Sequence, residues 1–206
     1  MNLGQRFARA ATEAVVRRPA LWRLFRGLIR RQFDKVAPQW DAMRTAGHNE
    51  SLHAALDAVP ATPRRVLDLG TGTGTAVRAI AARWPEAEVT GVDVSEQMLA
   101  EARRLLPPEL AGRVRFQHAD ASSLPFADGS FDLVTLSNMI PFFDEIARVL
   151  APSGSVAFAW SVGPDTPIYV PPERLRTELE RRGFGEFREL TAGPGTALLA
   201  RKLDAG

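Results

Sequence analysis

Acidic residues stand in or just after three apolar stretches: Asp68 in V-L-D-L, Asp93 in V-T-G-V-D-V and Asp120 in F-Q-H-A-D-A. Asp68 runs almost directly into G-T-G-T-G at 70–74, and Asp93 follows Gly74 by 19 positions. Glycines after an apolar strand let a ligand approach the backbone where a Cβ would clash, and the N–H groups that open the next helix add donors. Such turns also serve plain helix packing. A carboxylate at the tip of the neighbouring strand can accept both hydroxyls of a ribose, or it can simply start a turn. Asp120 can accept from the exocyclic amine of a purine while the Ala121 N–H reaches a ring nitrogen. It can equally form an Asx-type turn into Ser122 and Ser123.

What is missing narrows the nucleoside. The dinucleotide fingerprint G-x-G-x-x-G needs a glycine at position 75, where Thr75 stands. A phosphate-binding loop of the G-K-[ST] kind needs a lysine, and the turn has none. With two phosphate-binding patterns excluded, a cofactor without phosphates fits better. There is no cysteine, and the three histidines (His48, His53, His118) lack metal-ligand spacing, so no metal site is expected. The lack of cysteine also agrees with a reducing, cytoplasmic location.

The elements that must position these residues alternate. Runs at 66–69, 88–92, 114–117, 131–136 and 155–160 read as strands, with helical patterns at 75–84, 95–105 and 143–150 between them. Ser95 is a plausible N-cap. Such alternation predicts an α/β, doubly wound parallel sheet with helices on both faces. A helix at 172–182 and runs at 186–190 and 197–201, joined through A-G-P-G-T, then predict a closing hairpin with at least one antiparallel strand.

The first 60 residues differ in character. Residues 1–35 carry nine basic residues against Glu13 and Asp34, a net of +7, so the remaining chain carries −5 within the overall +2. Two helical patterns lie here, one through Phe7, Ala10 and Ala14, the other through Leu21, Leu24, Phe25, Leu28, Ile29 and Phe33. A third is expected at 51–58. Arginine interrupts the apolar residues too often for a signal peptide or a membrane span. The basic helices pack on the body or join a second copy in the favoured reading. The alternative is peripheral contact with anionic lipid through Leu21, Trp22, Phe25, Leu28 and Ile29. The acidic remainder argues against a nucleic-acid partner.

Taken together, V-L-D-L-G-T-G-T-G, V-T-G-V-D-V-S, H-A-D-A-S-S-L-P-F, F-D-L-V and A-R-V-L-A-P-S-G resemble the class I S-adenosylmethionine-dependent methyltransferases, within them the small-molecule group that includes quinone C-methyltransferases. The resemblance covers about 64–203. It implies a Rossmann-like seven-stranded sheet with the last strand antiparallel, a core at 61–206 and an N-terminal helical cap at 1–60. The implied cofactor is S-adenosyl-L-methionine. Gly70, Thr71, Gly72 and Gly74 would lie against its methionine part and ribose, with Asp68 near the amino group. Asp93 and Val94 would face the ribose, Asp120 and Ala121 the adenine, and Ser137 and Asn138 the methyl group. Phe33, Trp40 and Met43 resemble the segment that folds over the cofactor in this group.

Methyl transfer from a sulfonium is an in-line displacement that asks mainly for positioning and exclusion of water. Asn138 is the preferred catalytic residue, with Asp41, His48, Asp144, Asp165 and Tyr169 as further candidates. His118 reads as a packing or cofactor-side residue. The function expected is methyl transfer to a small apolar or aromatic acceptor. The alternative is a non-catalytic nucleoside-binding or interaction protein, suggested by the short S-N-M-I-P and S-V-G-P-D-T-P-I-Y-V-P loops.

Overall fold

A computed structural model describes residues 3–43 and 47–204; residues 1, 2, 44–46, 205 and 206, which fall inside the two expected segments, lie outside the described residues. The N-terminal segment contains α1 (Leu3–Arg17), α2 (Trp22–Val36) and α3 (Glu50–Asp57). Two short 3-10 turns, Pro19–Leu21 and Ala37–Gln39, bracket α2.

The body follows as β1 (Arg65–Leu69), α4 (Thr75–Arg83), β2 (Glu88–Asp93), α5 (Glu96–Arg104), β3 (Val114–His118), β4 (Phe131–Ser137), α6 (Phe143–Val149), β5 (Leu150–Trp160), α7 (Pro172–Glu180), β6 (Phe184–Ala192) and β7 (Gly195–Lys202). These strands form one seven-stranded sheet in the order β3-β2-β1-β4-β5-β7-β6. β1 pairs in parallel with β2 and with β4, and only then does β7 insert antiparallel between β5 and β6. The order reverses between β1 and β4, which puts the β1–α4 turn at the switch point where open α/β sheets bind ligands.

The expected alternation is thus present, with ends shifted by a few residues. The largest shift is at β5, which starts at Leu150 because Phe131 pairs with it ahead of a register change.

Alternation along the strands sorts the core. Leu67, Leu69, Val134 and Leu136 face α6, α7 and Trp22 in one apolar layer. Val66 and Leu133 face Leu52, Leu56, Val77 and Ile80 of α3 and α4 in the other. Helix α2 lies along the first layer. Trp22 is buried there, and Phe25 and Ile29 pack half-buried against it. Leu24 and Leu28 stay outside, at 73% and 56% exposure. The five-residue lipid face expected for α2 is therefore split: most of it turns inward, because the body supplies an apolar surface that sequence spacing could not show. No described helix is long and apolar enough to cross a membrane.

Candidate functional site

At the switch point the chain leaves β1 through three glycines with φ between 55° and 76°. Gly74 must be glycine on two counts. Its φ of +76° is left-handed, and an added Cβ would lie 2.8 Å from the Phe116 ring on β3. An added Cβ on Gly70 would sit 2.6 Å from Met139 Sδ. At Gly72 the nearest atom is Trp40 Nε1, at 3.6 Å. Gly74 thus serves packing, whereas Gly70 and Gly72 are covered by side chains that follow β4 and α2.

Asp93 closes the turn. One of its oxygens accepts the Gly72 N–H at 2.9 Å and the other accepts the Ser95 N–H at 2.9 Å. It is 9% exposed, and burial pushes its carboxyl above the ordinary aspartate value despite those N–H donors. Ser95 then caps α5 by accepting the Met98 N–H. Its hydroxyl donates to Asp34 of α2 at 2.6 Å.

Asp120, just past β3, has different partners. Oδ1 accepts the Ser122 N–H at 2.9 Å and the Trp22 indole N–H at 2.8 Å, while Arg26 lies 3.2 Å from Oδ2. Burial alone would raise its carboxyl. The bonds from Ser122, Trp22 and Arg26 outweigh that and hold it below the ordinary value. Ala121 is buried beside it. His118 is exposed and reaches the Val94 carbonyl at 3.1 Å, at the β2–β3 end of the edge rather than beside β4.

Asp68 shares a sheet face with Val66 and accepts from Thr135 Oγ1 at 2.7 Å across the β1–β4 register. It is buried two residues before the loop. Two buried hydroxyls at this edge, Thr71 Oγ1 and Ser137 Oγ, have no hydrogen-bond partner among the described residues. Such orphans ask for an explanation, and a polar ligand is one.

Asn138 adopts φ 50° directly after β4. The Ser161 N–H donates to Asn138 Oδ1 at 3.0 Å, which fixes the amide orientation. The Nδ2 end then faces Ser161 Oγ at 3.1 Å and His48 Nε2 at 3.5 Å. A donor facing Nε2 favours the imidazole tautomer whose lone pair lies on that nitrogen. Asn138 therefore ties the ends of β4 and β5 together and turns His48 towards the same edge.

His48 also lines an open cleft of about 430 Å³ with Asp41, Asn49, Glu50, His53, Thr75 and Arg78. Asp41 accepts from Thr73 Oγ1 at 2.5 Å and lies 3.8 Å from Arg78. The remaining candidates are elsewhere. Asp144 points outward to Arg182 at 2.7 Å, Asp165 is exposed in the Gly163–Asp165 turn, and Tyr169 packs edge-on against Trp160. No group of described residues has the composition of a metal site.

Sequence reasoning missed Ser161, Arg78, Met139 and the reach of Trp22 and Arg26 to Asp120. Ser161 and Met139 belong to loops without a motif. Trp22 was visible, but as part of an apolar stripe with no stated destination.

A methyltransferase-domain family model matches residues 66–154. The chain is 38% identical over 150 residues to a malonyl-[acyl-carrier protein] O-methyltransferase of Halorhodospira halophila, covering 68% of this chain and 50% of that protein. It is 42% identical over 135 residues to a demethylmenaquinone methyltransferase of Thermus thermophilus, covering 59% and 60%. The chain thus spans about half to three fifths of the length of these relatives. In fold it is similar to a SAM-dependent methyltransferase from Aquifex aeolicus, with a TM-score of 0.67 at 18% identity over 81% of this chain and 98% of that one.

Proposed function

We propose that this chain, which carries a class I S-adenosylmethionine-dependent methyltransferase domain of the small-molecule type, transfers a methyl group to a small aromatic or otherwise apolar acceptor bearing at least one polar group. The observation that carries the reading is the pair Asp93 and Asp120 on adjacent strand ends beside the Gly70–Gly72 turn, the acceptor pair that a ribose diol and an adenine amine require. The Ser137 hydroxyl, buried without a partner among the described residues, supports a polar ligand at the same edge.

In this reading Gly70, Thr71 and Gly72 line the methionine and ribose part, Gly74 packs the turn against β3, and Asp68 lies near the amino group. Val94 and Ala121 border the nucleoside, and Ser137 and Asn138 stand at the methyl end. When bound, S-adenosylmethionine supplies the electrophilic methyl carbon. The chain's task is to aim an acceptor lone pair along the breaking carbon–sulfur bond, exclude water and take up any acceptor proton. Asn138 positions His48 at that edge through the 3.5 Å contact of Nδ2 with Nε2. The polar lining of the adjoining cleft favours an acceptor with a hydroxyl or carboxylate. The N-terminal segment to about residue 60 acts as the cap, and any contact with lipid or a second copy falls to the outer stripe at Leu24 and Leu28.

The test is acceptor-dependent turnover. With methyl-labelled S-adenosylmethionine and a panel of phenols, hydroquinones and carboxylic acids, label should move to one class with one S-adenosylhomocysteine formed per methyl. Binding of the cofactor with no transfer to any member would favour a non-catalytic binder instead.

A further inference from the structure

The first turn of α2 supplies the group that the adenine reading needs at Asp120. The Trp22 indole is a flat, fused bicycle with a ring N–H, and it donates to Oδ1 at 2.8 Å. Adenine is also a flat, fused bicycle, and it would offer an exocyclic N–H to the same carboxylate. Arg26 engages the second oxygen at 3.2 Å. Trp22 is 7% exposed and meets Phe142 edge-on at 5.5 Å, so the ring fills space beside the carboxylate as well as bonding to it. We propose that Trp22 and Arg26 form an intramolecular stand-in for the adenine, so that a purine nucleoside binds only after the first turn of α2 has left Asp120. This rests on the nucleoside reading above.

The helix is built to let that turn go. Its N-cap, Leu21, makes no side-chain cap bond, and no acidic residue lies in the first turn. The Trp22 N–H is taken up by the Pro19 carbonyl of the preceding 3-10 turn, but Arg23 and Arg26 stand in the opening turns, near the positive end of the helix dipole, where cations are disfavoured. Gly27 follows the latch directly. A Cβ at Gly27 would meet nothing within 4 Å, and its φ is not in the left-handed region, so neither packing nor backbone geometry requires glycine. A mid-helix glycine without such a reason weakens the helix locally. The far half of α2 is held independently, by Asp34 on Ser95 Oγ at 2.6 Å and by Phe33 against Trp40 at 5.4 Å. Gly27 thus separates an anchored half from a latch. Because the competent state is only the open fraction, the latch lowers the apparent affinity by that fraction.

The experiment is a calorimetric titration of S-adenosylhomocysteine into wild type, Trp22→Phe, Gly27→Ala and Asp93→Ala. Trp22→Phe keeps the ring burial but removes the donor, and should bind about tenfold more tightly. Gly27→Ala stiffens the helix without a clash and should bind about three- to fivefold more weakly. Amide exchange at 22–26 in the wild type should speed up on nucleoside addition. The proposal is overturned if Trp22→Phe binds more weakly than wild type, since Trp22 is then a wall of the nucleoside site. It is also overturned if neither helix variant changes affinity, or if the amides slow down. Failure of every protein to bind would remove the nucleoside reading and the latch together. Equal binding by wild type and both helix variants, with loss in Asp93→Ala, would remove the latch alone.

Discussion

Asp93 and Asp120 lie at the ends of adjacent strands, present the same carboxylate, and are satisfied in opposite ways. Asp93 takes backbone N–H groups from the turn before it and the helix after it, within 21 residues of sequence. Asp120 takes one such local bond, then borrows Trp22 and Arg26 from 98 and 94 residues away. Burial leaves the first carboxyl raised, whereas in the second the Ser122 N–H together with the side-chain donors outweighs burial and leaves it lowered. A carboxylate held by its own backbone is set once the strand folds. One held by a distant helix can exchange partners, and in the proposed reading that difference separates a fixed ribose side from an exchangeable adenine side.

The largest effect should come from removing the fixed member. Asp93→Ala orphans two buried donors, at about 1–3 kcal/mol each, so chemical denaturation should show a loss of at least about 2 kcal/mol. A loss well under 1 kcal/mol would break the comparison. Asp120→Ala should cost about 1 kcal/mol, because the Ser122 N–H and the exposed Arg26 can turn to water. Faster amide exchange at 19–26, with α5 unchanged, would locate that loss in the latch.

The signs with pH also differ. Asp120 is depressed, so its contribution is complete above the ordinary value of 3.8 and is lost as pH falls below that through its lower folded value. Acid should therefore release α2, read as a red shift of tryptophan emission that Asp120→Asn lacks. Asp93 is raised, so it binds its proton more tightly when folded. Its contribution is present below 3.8 and declines as pH rises through the raised value, a slope that Asp93→Ala should remove. The smallest effect is expected on the outer face of α2. Leu24→Ser with Leu28→Ser should change stability by no more than about 0.5 kcal/mol. A change in vesicle pelleting or sedimentation velocity on that substitution would show the face to be partnered.

Much of the body was legible because its signals are local. Strand runs, the Ser95 cap and the failed phosphate fingerprints each concern a few neighbouring residues. Asp144 shows where locality ends: it opens an expected helix next to the candidate site, yet the first turn of α6 points it outward to Arg182. Trp22 shows it again. Spacing put it in an apolar stripe with Leu28, but only the body's surface decides that Trp22 goes in and Leu28 stays out. The Asn138–Ser161–His48 group joins three loops with no shared motif, so no spacing rule could have assembled it.

The central claim, that this sheet edge reads a sulfur nucleoside through Asp93 and Asp120, is tested most directly by titrating the wild-type protein with S-adenosylhomocysteine and with NAD and repeating both on Asp93→Ala. The expected result is saturable binding of S-adenosylhomocysteine, none of NAD, and at least a tenfold loss in the variant. Binding of NAD with no response to S-adenosylhomocysteine would contradict it.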